Sequence, residues 1–361
     1  MKVSVLGCGN VGVAISADLS LSGHDVTLIK TSNINEEIFD RIKQNGNKVL
    51  IKENETYTPA HIHSVVKDLQ CIENSEVIIL ALPSTYHEKV IESIKAYTNE
   101  GQIAICICSY LSSLYFEKYC TRLPTIVETT GPYLEGRIEP DDIPGEIVFR
   151  VGCRLKQIPL SVFQSDMASD CMPKICNLYN GFNLTYTTIE SALLNPNMVI
   201  HTVGSIMSIP RIEYSQGDFC MYREAYSRKN LATLQLMLSL DGEKKKVLTA
   251  LGLTPTDIFV AGDFLGDQPM ESFFRYSESN KRAKSPTSIH SRYITEDVSQ
   301  GLVLMESIAK RIGVVVPVTS SLITIAGTAL GIDFRATGRT IERLNGESLI
   351  DDCIKKYDKH K

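Results

Sequence analysis

The sequence predicts an α/β fold in which a doubly wound parallel sheet is followed by an all-helical domain. In the first half of the chain, short apolar runs alternate with segments of helical periodicity, which is typical of βαβ units. One run, residues 76–82, is apolar from its second residue onward, as in strands buried on both faces of a sheet. After about residue 180 long helical patterns take over. Because 361 residues are more than a single hydrophobic core usually accommodates, we predict two domains, residues 1–182 and residues 183–361.

Each element is placed by its own pattern. Strands of the doubly wound sheet are predicted over residues 2–6, 24–30, 76–82, 102–108, 125–128 and 146–153, and a helix over residues 12–21. In the second half, helices are predicted over residues 196–209, 230–251, 296–312 and 317–330. The apolar stretch of residues 314–330 contains Pro317 and several Ser and Thr residues, which favours a buried or amphipathic helix over a membrane span.

Composition and charge exclude several classes of protein. The net charge of −5 leaves no basic excess to meet a phosphate backbone, so we expect no nucleic-acid partner. No signal peptide or membrane span is visible, and ten scattered cysteines without a C-x-x-C spacing indicate reduced thiols in the cytoplasm. His61 and His63 form an H-x-H pair that no further ligand completes, so we interpret them as loop histidines and expect no metal.

A G-x-G-x-x-G pattern runs from Gly7 to Gly12, between the first predicted strand and the first predicted helix. In that context the pattern is the fingerprint of a Rossmann dinucleotide-binding domain. Gly7 would make the tight turn, Gly9 would let the backbone approach the pyrophosphate, and Gly12 would let the helix pack closely on the strand. The helix start at Asn10 and Val11 would hold the negative pyrophosphate. The alternative is a glycine-rich turn without a ligand.

The end of the second strand distinguishes the two nicotinamide cofactors. An acidic residue there would bond the ribose 2′-hydroxyl of NAD, but no carboxylate occurs before Glu36. Lys30, Thr31 and Ser32 instead offer a positive charge and two hydroxyl donors, which favour the 2′-phosphate of NADP. NAD stays possible if Lys30 is a solvated strand-end lysine. Pro83, after the strand of residues 76–82, is a candidate for shaping the loop beneath the nicotinamide.

The second half contains one histidine in an informative setting. Asn195 and Pro196 form a helix-start signal, as cap and first helical residue. Asn197 and His201 then lie on one face of a mostly apolar helix. A histidine there can act as acid and base in a carbonyl–alcohol or imine–amine interconversion. The alternative is a hydrogen-bonded core histidine.

Two charged residues near the predicted helix of residues 296–312 are further candidates. Asp297 would lie in its first turn, where the helix dipole stabilises a carboxylate, so it is either a cap or a catalytic partner. Arg292 can clamp a substrate carboxylate with two hydrogen bonds, or pair with a surface carboxylate.

Residues 292–303 and residues 333–340 resemble the C-terminal domain of the opine dehydrogenase family, and are most similar to its N-(1-D-carboxyethyl)-L-norvaline dehydrogenase branch. Residues 197–201 resemble the N-x-x-x-H motif of that family, and residues 128–130 with Arg137 are similar to a further stretch. The likeness extends over nearly the whole chain. It implies a helical domain of the 6-phosphogluconate dehydrogenase C-terminal type.

The resemblance also implies an activity and its residues. These enzymes reductively condense a 2-oxo acid with the amino group of an amino acid, using NADP or NAD. By this likeness His201 would move protons, Asp297 would hold its tautomer, and Arg292 and Asn197 would position the substrates. The partners would be small-molecule substrates, and we expect a homodimer. An NAD-preferring relative would carry an acidic residue at the position of Lys30.

Two other functions stay open. A 2-dehydropantoate reductase or another hydroxyacid dehydrogenase shares this architecture but usually depends on a lysine in the second domain. Lys229 and Lys244 to Lys246 lie in charged segments that we expect to be solvated, so none is a convincing equivalent. A non-catalytic NADP-binding redox sensor would have no need for His201 and Asp297 together.

Overall fold

The computed structural model describes residues 1–34, 36–139, 143–184, 186–264, 266–279 and 285–358. The chain divides into two compact units, Met1–Ala192 and Leu193–Lys361. The division lies further along the chain than residue 182, where the sequence placed it. The last strand of the first unit, Phe182–Leu184, pairs in parallel with Ile158–Val162 and so extends that unit past the expected boundary.

The strands of the described residues all lie in the first unit. They are β1 (Lys2–Leu6), β2 (Asp25–Ile29), β3 (Lys48–Glu53), β4 (Thr56–His61), β5 (Ser64–Val66), β6 (Val77–Leu80), β7 (Ile103–Ile107), β8 (Thr125–Thr129), β9 (Leu134–Glu139), β10 (Val148–Arg154), β11 (Ile158–Val162) and β12 (Phe182–Leu184).

The larger sheet has the order β12-β11-β8-β7-β6-β1-β2-β5. The six strands from β8 to β5 run parallel, and β11 joins β8 in the antiparallel sense. All residues of β6 and β7 are buried, which is why these segments are apolar at every position. The predicted doubly wound parallel sheet is confirmed. Since the chain reverses its winding between β1 and β6, the crevice outside their carboxyl ends is where this type of sheet binds ligands.

A second sheet was not expected from the sequence. It has the order β4-β3-β10-β9, and β9 packs against the first helix of the chain, α1 (Asn10–Leu21). The predicted strand of residues 146–153 exists as β10, but its assignment to the doubly wound sheet is wrong. Periodicity identifies a strand and does not identify its partner, so only the tertiary structure reveals the second sheet.

The helices after α1 are four further helices within the first unit, then α6, which ends at the first residue of the second unit, and then the helices of the second unit. They are α2 (Glu37–Gln44), α3 (His87–Ile94), α4 (Ser113–Tyr119), α5 (Ala168–Leu178), α6 (Thr188–Leu193), α7 (Asn197–Met207), α8 (Ile209–Ser215), α9 (Met221–Ala225), α10 (Leu231–Ala250), α11 (Ile258–Ala261), α12 (Pro269–Glu278), α13 (Arg292–Glu296), α14 (Val303–Arg311), α15 (Pro317–Leu330), α16 (Phe334–Thr337) and α17 (Glu347–Asp358).

The predicted all-helical second domain is confirmed for the described residues of the second unit. α7, α10 and α15 match their predicted ranges closely, because Pro and Asn signals mark their starts and a glycine follows the ends of α10 and α15. The predicted helix of residues 296–312 begins earlier, at Arg292, and changes at Asp297–Leu302 to π-helical geometry before α14. No described helix is both long and apolar enough to cross a membrane.

Candidate functional site

The turn after β1 has the geometry that a dinucleotide requires. Gly7 has a φ of +114°, which side-chain-bearing residues rarely adopt, and a Cβ at Gly12 would lie 1.7 Å from the Gly7 carbonyl oxygen. A Cβ at Gly9 would meet no atom within 4 Å, so open space lies beside the backbone there. Gly7 and Gly12 are therefore fixed by the fold, whereas Gly9 leaves room for a pyrophosphate. The residues present fit the cofactor.

The start of α1 provides backbone donors rather than side chains. The first N–H groups of a helix have no partner inside the helix, and here they include those of Asn10 and Val11. The Asn10 side-chain Oδ1 accepts the backbone N–H of Ile138 at 2.8 Å, which ties β9 to the start of α1. Val11 is half-buried and packs against the core. Asn10 and Val11 can therefore contribute backbone N–H groups to a phosphate.

Lys30 lies at the carboxyl end of β2 and is 7% exposed. Its Nζ donates to the Ser32 hydroxyl at 3.2 Å and to the Ile34 carbonyl oxygen, so Lys30 and Ser32 form one cluster. Burial raises the pKa of the Cys8 thiol to about 11, and the positive charge of Lys30 opposes that rise. The Lys30 ammonium group thus interacts electrostatically with the Cys8 thiol in the glycine turn. Thr31 is half-buried beside it.

A buried histidine that was not among the candidates from the sequence fixes the loop after β6. Pro83 accepts the Tyr86 N–H through its carbonyl oxygen at 2.9 Å and begins a short turn into α3. His87 is fully buried, with Nε2 3.0 Å from the Leu82 carbonyl oxygen and Nδ1 2.7 Å from the Ser112 hydroxyl. Since a carbonyl oxygen only accepts, Nε2 carries a proton. His87 therefore fixes the loop that contains Pro83.

The first turn of α7 places His201. Pro196 has helical dihedral angles, and the Asn195 side-chain oxygen accepts the Asn197 N–H at 3.0 Å. This is the start that the sequence predicts, and it leaves Asn197 half-buried one turn before His201. The surrounding residues of α7 are buried and apolar, including Met198. His201 is consequently 5% exposed.

His201 and Asp297 meet in the second unit. His201 Nδ1 lies 3.0 Å from Asp297 Oδ2, and Asp297 is 4% exposed. An ionised carboxylate only accepts, so Nδ1–H donates and Nε2 keeps its lone pair when the ring is neutral. Asp297 begins the π-helical turn, a geometry frequent at functional sites, and not the first turn of a helix as expected. The pair has the geometry of an acid–base dyad.

Two tyrosines that were not among the candidates from the sequence complete the surroundings of His201. Tyr222 Oη lies 3.0 Å from His201 Nε2. The ring of Tyr293 stacks on the imidazole, with centroids 3.7 Å apart and 7° between the planes. Tyr293 lies in the block of residues 292–303 and could have been found there. Tyr222 has no motif around it, so only the folded chain reveals it.

Arg292 is half-exposed, whereas Lys244, one of the lysines of the second unit, is buried. Arg292 begins α13 with a half-exposed side chain, and its guanidinium lies 3.7 Å from the buried Glu296 carboxylate. Lys244 is 1% exposed and pairs with Asp241 at 2.6 Å, so the expectation that it is solvated is wrong. Burial lowers the pKa of the Lys244 amine, and Asp241 opposes that effect. The Lys244 amine is therefore paired with a carboxylate of its own helix, α10.

The remaining candidates show no further site. His61 ends β4 rather than lying in a loop, and His63 Nδ1 lies 3.4 Å from Asp25. Within the described ranges, no group of three or more His, Cys, Asp or Glu side chains is arranged to hold a metal. All ten cysteines fall in these ranges, and no disulfide joins any of them.

A glycine turn fitted to a dinucleotide in one unit and a buried His–Asp pair in the other define the class of protein. Residues 2–125 match the family model described as NAD-dependent glycerol-3-phosphate dehydrogenase N-terminus. Residues 185–330 match the model described as NAD/NADP octopine/nopaline dehydrogenase, alpha-helical domain. The chain is an NAD(P)-dependent oxidoreductase with a Rossmann half and a helical half.

Whole proteins similar to this chain are opine-forming enzymes. The chain is 27% identical over 357 residues to vitopine synthase of Allorhizobium ampelinum, covering 95% of both chains. It is 24% identical to opine dehydrogenase of Arthrobacter sp. strain 1C, covering 94% of both. The fold is similar to that of octopine dehydrogenase with NADH and L-arginine, with a TM-score of 0.73, 18% identity and 95% coverage of each chain. Along nearly its whole length the chain is therefore similar to opine dehydrogenases, whose reaction is NAD(P)H-dependent reductive condensation.

Proposed function

We propose that His201 and Asp297 perform the acid–base steps by which this chain condenses a 2-oxo acid with the amino group of an amino acid. The observation that carries the proposal is the 3.0 Å contact between His201 Nδ1 and Asp297 Oδ2 in a pair almost excluded from solvent. At neutral pH an amino acid carries an ammonium group, which must lose a proton before it can attack a carbonyl carbon. The resulting carbinolamine must gain a proton to release water.

One histidine can perform both transfers. With Nδ1–H donated to Asp297, His201 Nε2 accepts the proton of the ammonium group. The carboxylate of Asp297 stabilises the imidazolium that forms, without taking its proton. His201 then returns the proton from Nε2 to the departing hydroxyl, and the imine forms as water leaves. The Tyr293 ring, stacked on the imidazole, holds the plane in which both transfers occur.

The substrates require fixed positions beside this dyad. Asn197 lies one turn before His201 on α7 and can hydrogen-bond a carbonyl or carboxylate oxygen through its amide. Arg292 begins the segment that contains Asp297, and its half-exposed guanidinium can receive a carboxylate with two hydrogen bonds. Asn197 therefore lies on the helix that contains His201, and Arg292 lies on the short helix that leads into the π-helical turn of Asp297. We propose that they position the 2-oxo acid and the amino acid.

We further propose that the chain prefers NADP to NAD. The bound nicotinamide supplies the hydride that reduces the imine. The glycine turn with Asn10 and Val11 would hold the pyrophosphate, and Pro83 would shape the loop beneath the nicotinamide. Lys30 supports the preference, because a buried ammonium bonded to the Ser32 hydroxyl gives a 2′-phosphate a charged partner and a second donor. Thr31 adds a third polar group at the same strand end.

Assembly and location are part of the proposal. We propose a homodimer joined through the helical unit, which exposes large apolar side chains at Tyr214, Leu231 and Val315. The absence of disulfides among its cysteines supports action in the cytoplasm. Sedimentation velocity of the purified chain tests the dimer, and a single species at the monomer mass would contradict it.

The reaction is tested with a panel of 2-oxo acids against amino acids. We expect NADPH absorbance to fall only when pyruvate or another 2-oxo acid and an amino acid are both present. Mass analysis should show a product that joins the two carbon skeletons with loss of one oxygen. Consumption of NADPH by a 2-oxo acid alone would instead support a hydroxyacid dehydrogenase such as a 2-dehydropantoate reductase. Binding of NADPH without turnover on any pair would support the redox sensor.

A further inference from the structure

Two lysines lie side by side at the carboxyl edge of the larger sheet. β2 and β5 pair in parallel with Ile29 beside Val66, and the Lys30 N–H donates to the Val66 carbonyl oxygen at 2.9 Å. Lys67 follows Val66, so it lies beside Lys30 at the end of the neighbouring strand, where adjacent strands are about 5 Å apart. In this type of sheet the end of the second strand receives the ribose of the adenosine half. Lys67 is therefore at the edge where a 2′-phosphate would bind.

Both ammonium groups contact the same short segment after β2. Lys30 Nζ donates to the Ser32 hydroxyl and to the Ile34 carbonyl oxygen. Lys67 Nζ donates to the Glu36 carboxylate at 2.6 Å. Because Glu36 is only two residues past Ile34, the acceptors of the two lysines are close together in the chain. The two positive charges and the Glu36 carboxylate thus belong to one cluster.

The pair of Lys67 and Glu36 is open to exchange with another anion. The two side chains are 42% and 36% exposed, and ion pairs in such contact with water contribute little to stability. The Phe39 ring centroid lies 5.5 Å from Lys67 Nζ, which favours the same position of the ammonium group without Glu36. The nearby Asp68 carboxylate accepts the Gln70 N–H at 2.9 Å. An anion can therefore replace Glu36 on Lys67 at small cost.

A 2′-phosphate requires more positive charge than Lys30 alone provides. A phosphate monoester carries about 1.5 to 2 negative charges at neutral pH and has three acceptor oxygens. An ammonium group has three N–H donors, and Lys30 already uses two of them within the protein. Lys67 adds a second positive charge at the same edge, and its one recorded hydrogen bond is to the exchangeable Glu36.

We propose that Lys67 is the second cation of the 2′-phosphate site, and that the phosphate takes the place of Glu36 on its ammonium group. Glu36 then turns to solvent, which its exposure permits. A 2′-hydroxyl carries no charge with which to displace Glu36, so Lys67 contributes to the binding of NADP and not of NAD. This role rests on the proposed preference for NADP and extends it to a residue on the neighbouring strand.

The first test uses the full chain with Lys67→Met and titrates NADPH and NADH by fluorescence. We expect the dissociation constant of NADPH to rise about 5- to 20-fold and that of NADH to stay within about twofold. Lys67→Arg keeps the positive charge and should keep the ratio of the two constants within about threefold of the wild-type value.

Glu36→Gln should have the opposite effect. The phosphate no longer has to displace a carboxylate from Lys67, so NADPH binding should tighten by about two- to fivefold. If the pair of Lys67 and Glu36 served only to hold the segment after β2, both variants would weaken binding, and both cofactors would be affected. That pattern would overturn the proposal.

The matched control is Lys43→Met. Lys43 Nζ lies 5.7 Å from the centroid of the same Phe39 ring, but its side chain is exposed near the end of α2. The variant loses the same charge beside the same ring, so the ratio of the two dissociation constants should stay unchanged. A ratio that is unchanged in Lys67→Met, or that shifts as much in Lys43→Met, would refute the role of Lys67.

A readout without the nicotinamide separates this role from the NADP preference. In isothermal titration calorimetry, Lys67→Met should weaken binding of adenosine 2′,5′-bisphosphate and leave that of AMP unchanged. Equal effects on the two nucleotides would overturn the proposal. If Lys30→Met lost the preference for NADPH and Lys67→Met kept it, the role of Lys67 would fall and the NADP preference would stand. If the wild-type chain bound NADPH and NADH equally, the preference would fall, while the calorimetry still decides whether Lys67 contacts a 2′-phosphate.

Discussion

His201 Nδ1 and Asp297 Oδ2 lie 3.0 Å apart although the two residues are 96 positions apart in the chain. His201 comes from the regular helix α7, whereas Asp297 comes from the π-helical turn between α13 and α14. The change of helical repeat at Asp297 alters the direction in which the following side chains leave the helix axis. On an uninterrupted α-helix, the side chains that follow Asp297 would point in other directions. The π-helical turn is therefore part of the local structure that contains the dyad.

We expect Asp297→Asn to lower kcat by about 10³- to 10⁴-fold, because the amide can no longer stabilise the imidazolium and can present a donor to Nδ1. His201→Gln should lower it at least as much. Steady-state rates of NADPH consumption with the reacting pair give both values.

NADPH binding is the control for both variants. Neither residue belongs to the unit that contains the glycine turn, so the dissociation constant, measured by NADPH fluorescence, should stay within about twofold. If His201→Gln lost cofactor binding and turnover in equal measure, the acid–base assignment would be refuted.

Lys30→Met should weaken NADPH binding by about 10- to 100-fold while changing NADH binding little, since a charged hydrogen bond to phosphate contributes about 1.5–3 kcal/mol. Lys30→Asp should shift the preference further towards NADH. The measured quantity is the ratio of the two dissociation constants from fluorescence titration.

Lys2→Met is the matched control for Lys30. Lys2 is the first residue of β1, at the amino ends of the parallel strands, and its side chain is exposed. The variant loses the same charge without touching the carboxyl end of β2, so the ratio should not change. An unchanged ratio in Lys30→Asp would contradict the NADP assignment.

Glu243→Gln should destabilise the helical unit by about 2–4 kcal/mol. The buried carboxylate accepts the backbone N–H of Val318 at 2.7 Å, and the N–H and hydroxyl of Thr319 at 2.8 Å and 2.7 Å. It therefore caps the start of α15, where a negative charge is favourable. Urea unfolding followed by circular dichroism measures the change, with Glu213→Gln on the exposed face of α8 as control. Equal midpoints for the two variants would rule out the cap.

Glu306 links the stability of the helical unit to pH. Burial alone would raise the pKa of Glu306, but hydrogen bonds from Arg335 and Ser320 outweigh that effect and lower it from the ordinary 4.5. A lowered pKa in the folded state stabilises the fold at pH above 4.5, and this contribution is lost as the pH falls through the folded value.

Glu306→Gln should therefore cost about 1 kcal/mol at pH 7, and this cost should shrink as the pH falls through the lowered pKa of Glu306, because the wild-type carboxyl then becomes protonated as well. Urea midpoints of both proteins at a series of pH values test this. A difference in unfolding free energy that does not shrink at acid pH would show that the charge of Glu306 does not contribute.

Much of the first unit could be predicted because local signals there coincide with the tertiary structure. The run of residues 76–82 is apolar since β6 is covered on both faces, and Gly7 and Gly12 are glycines since the turn admits no Cβ. The second sheet could not be predicted, because it joins two local strand pairs, β3 with β4 and β9 with β10, that lie far apart in the chain. The burial of Lys244 was missed for a related reason. A run of three lysines is typical of a solvated face, and only the packing of α10 shows that one of them points inward beside Asp241.

By itself, the sequence determined the element types, the glycine turn and the candidates His201 and Asp297, since each depends on residues close together in the chain. The tertiary structure decided which of them meet. It brought Tyr222 to His201 Nε2 and stacked Tyr293 on the imidazole, and it placed Asp297 at a π-helical turn. Contacts of this kind depend on how helices pack against one another, and helix periodicity gives the face that is buried but not the residue that it meets.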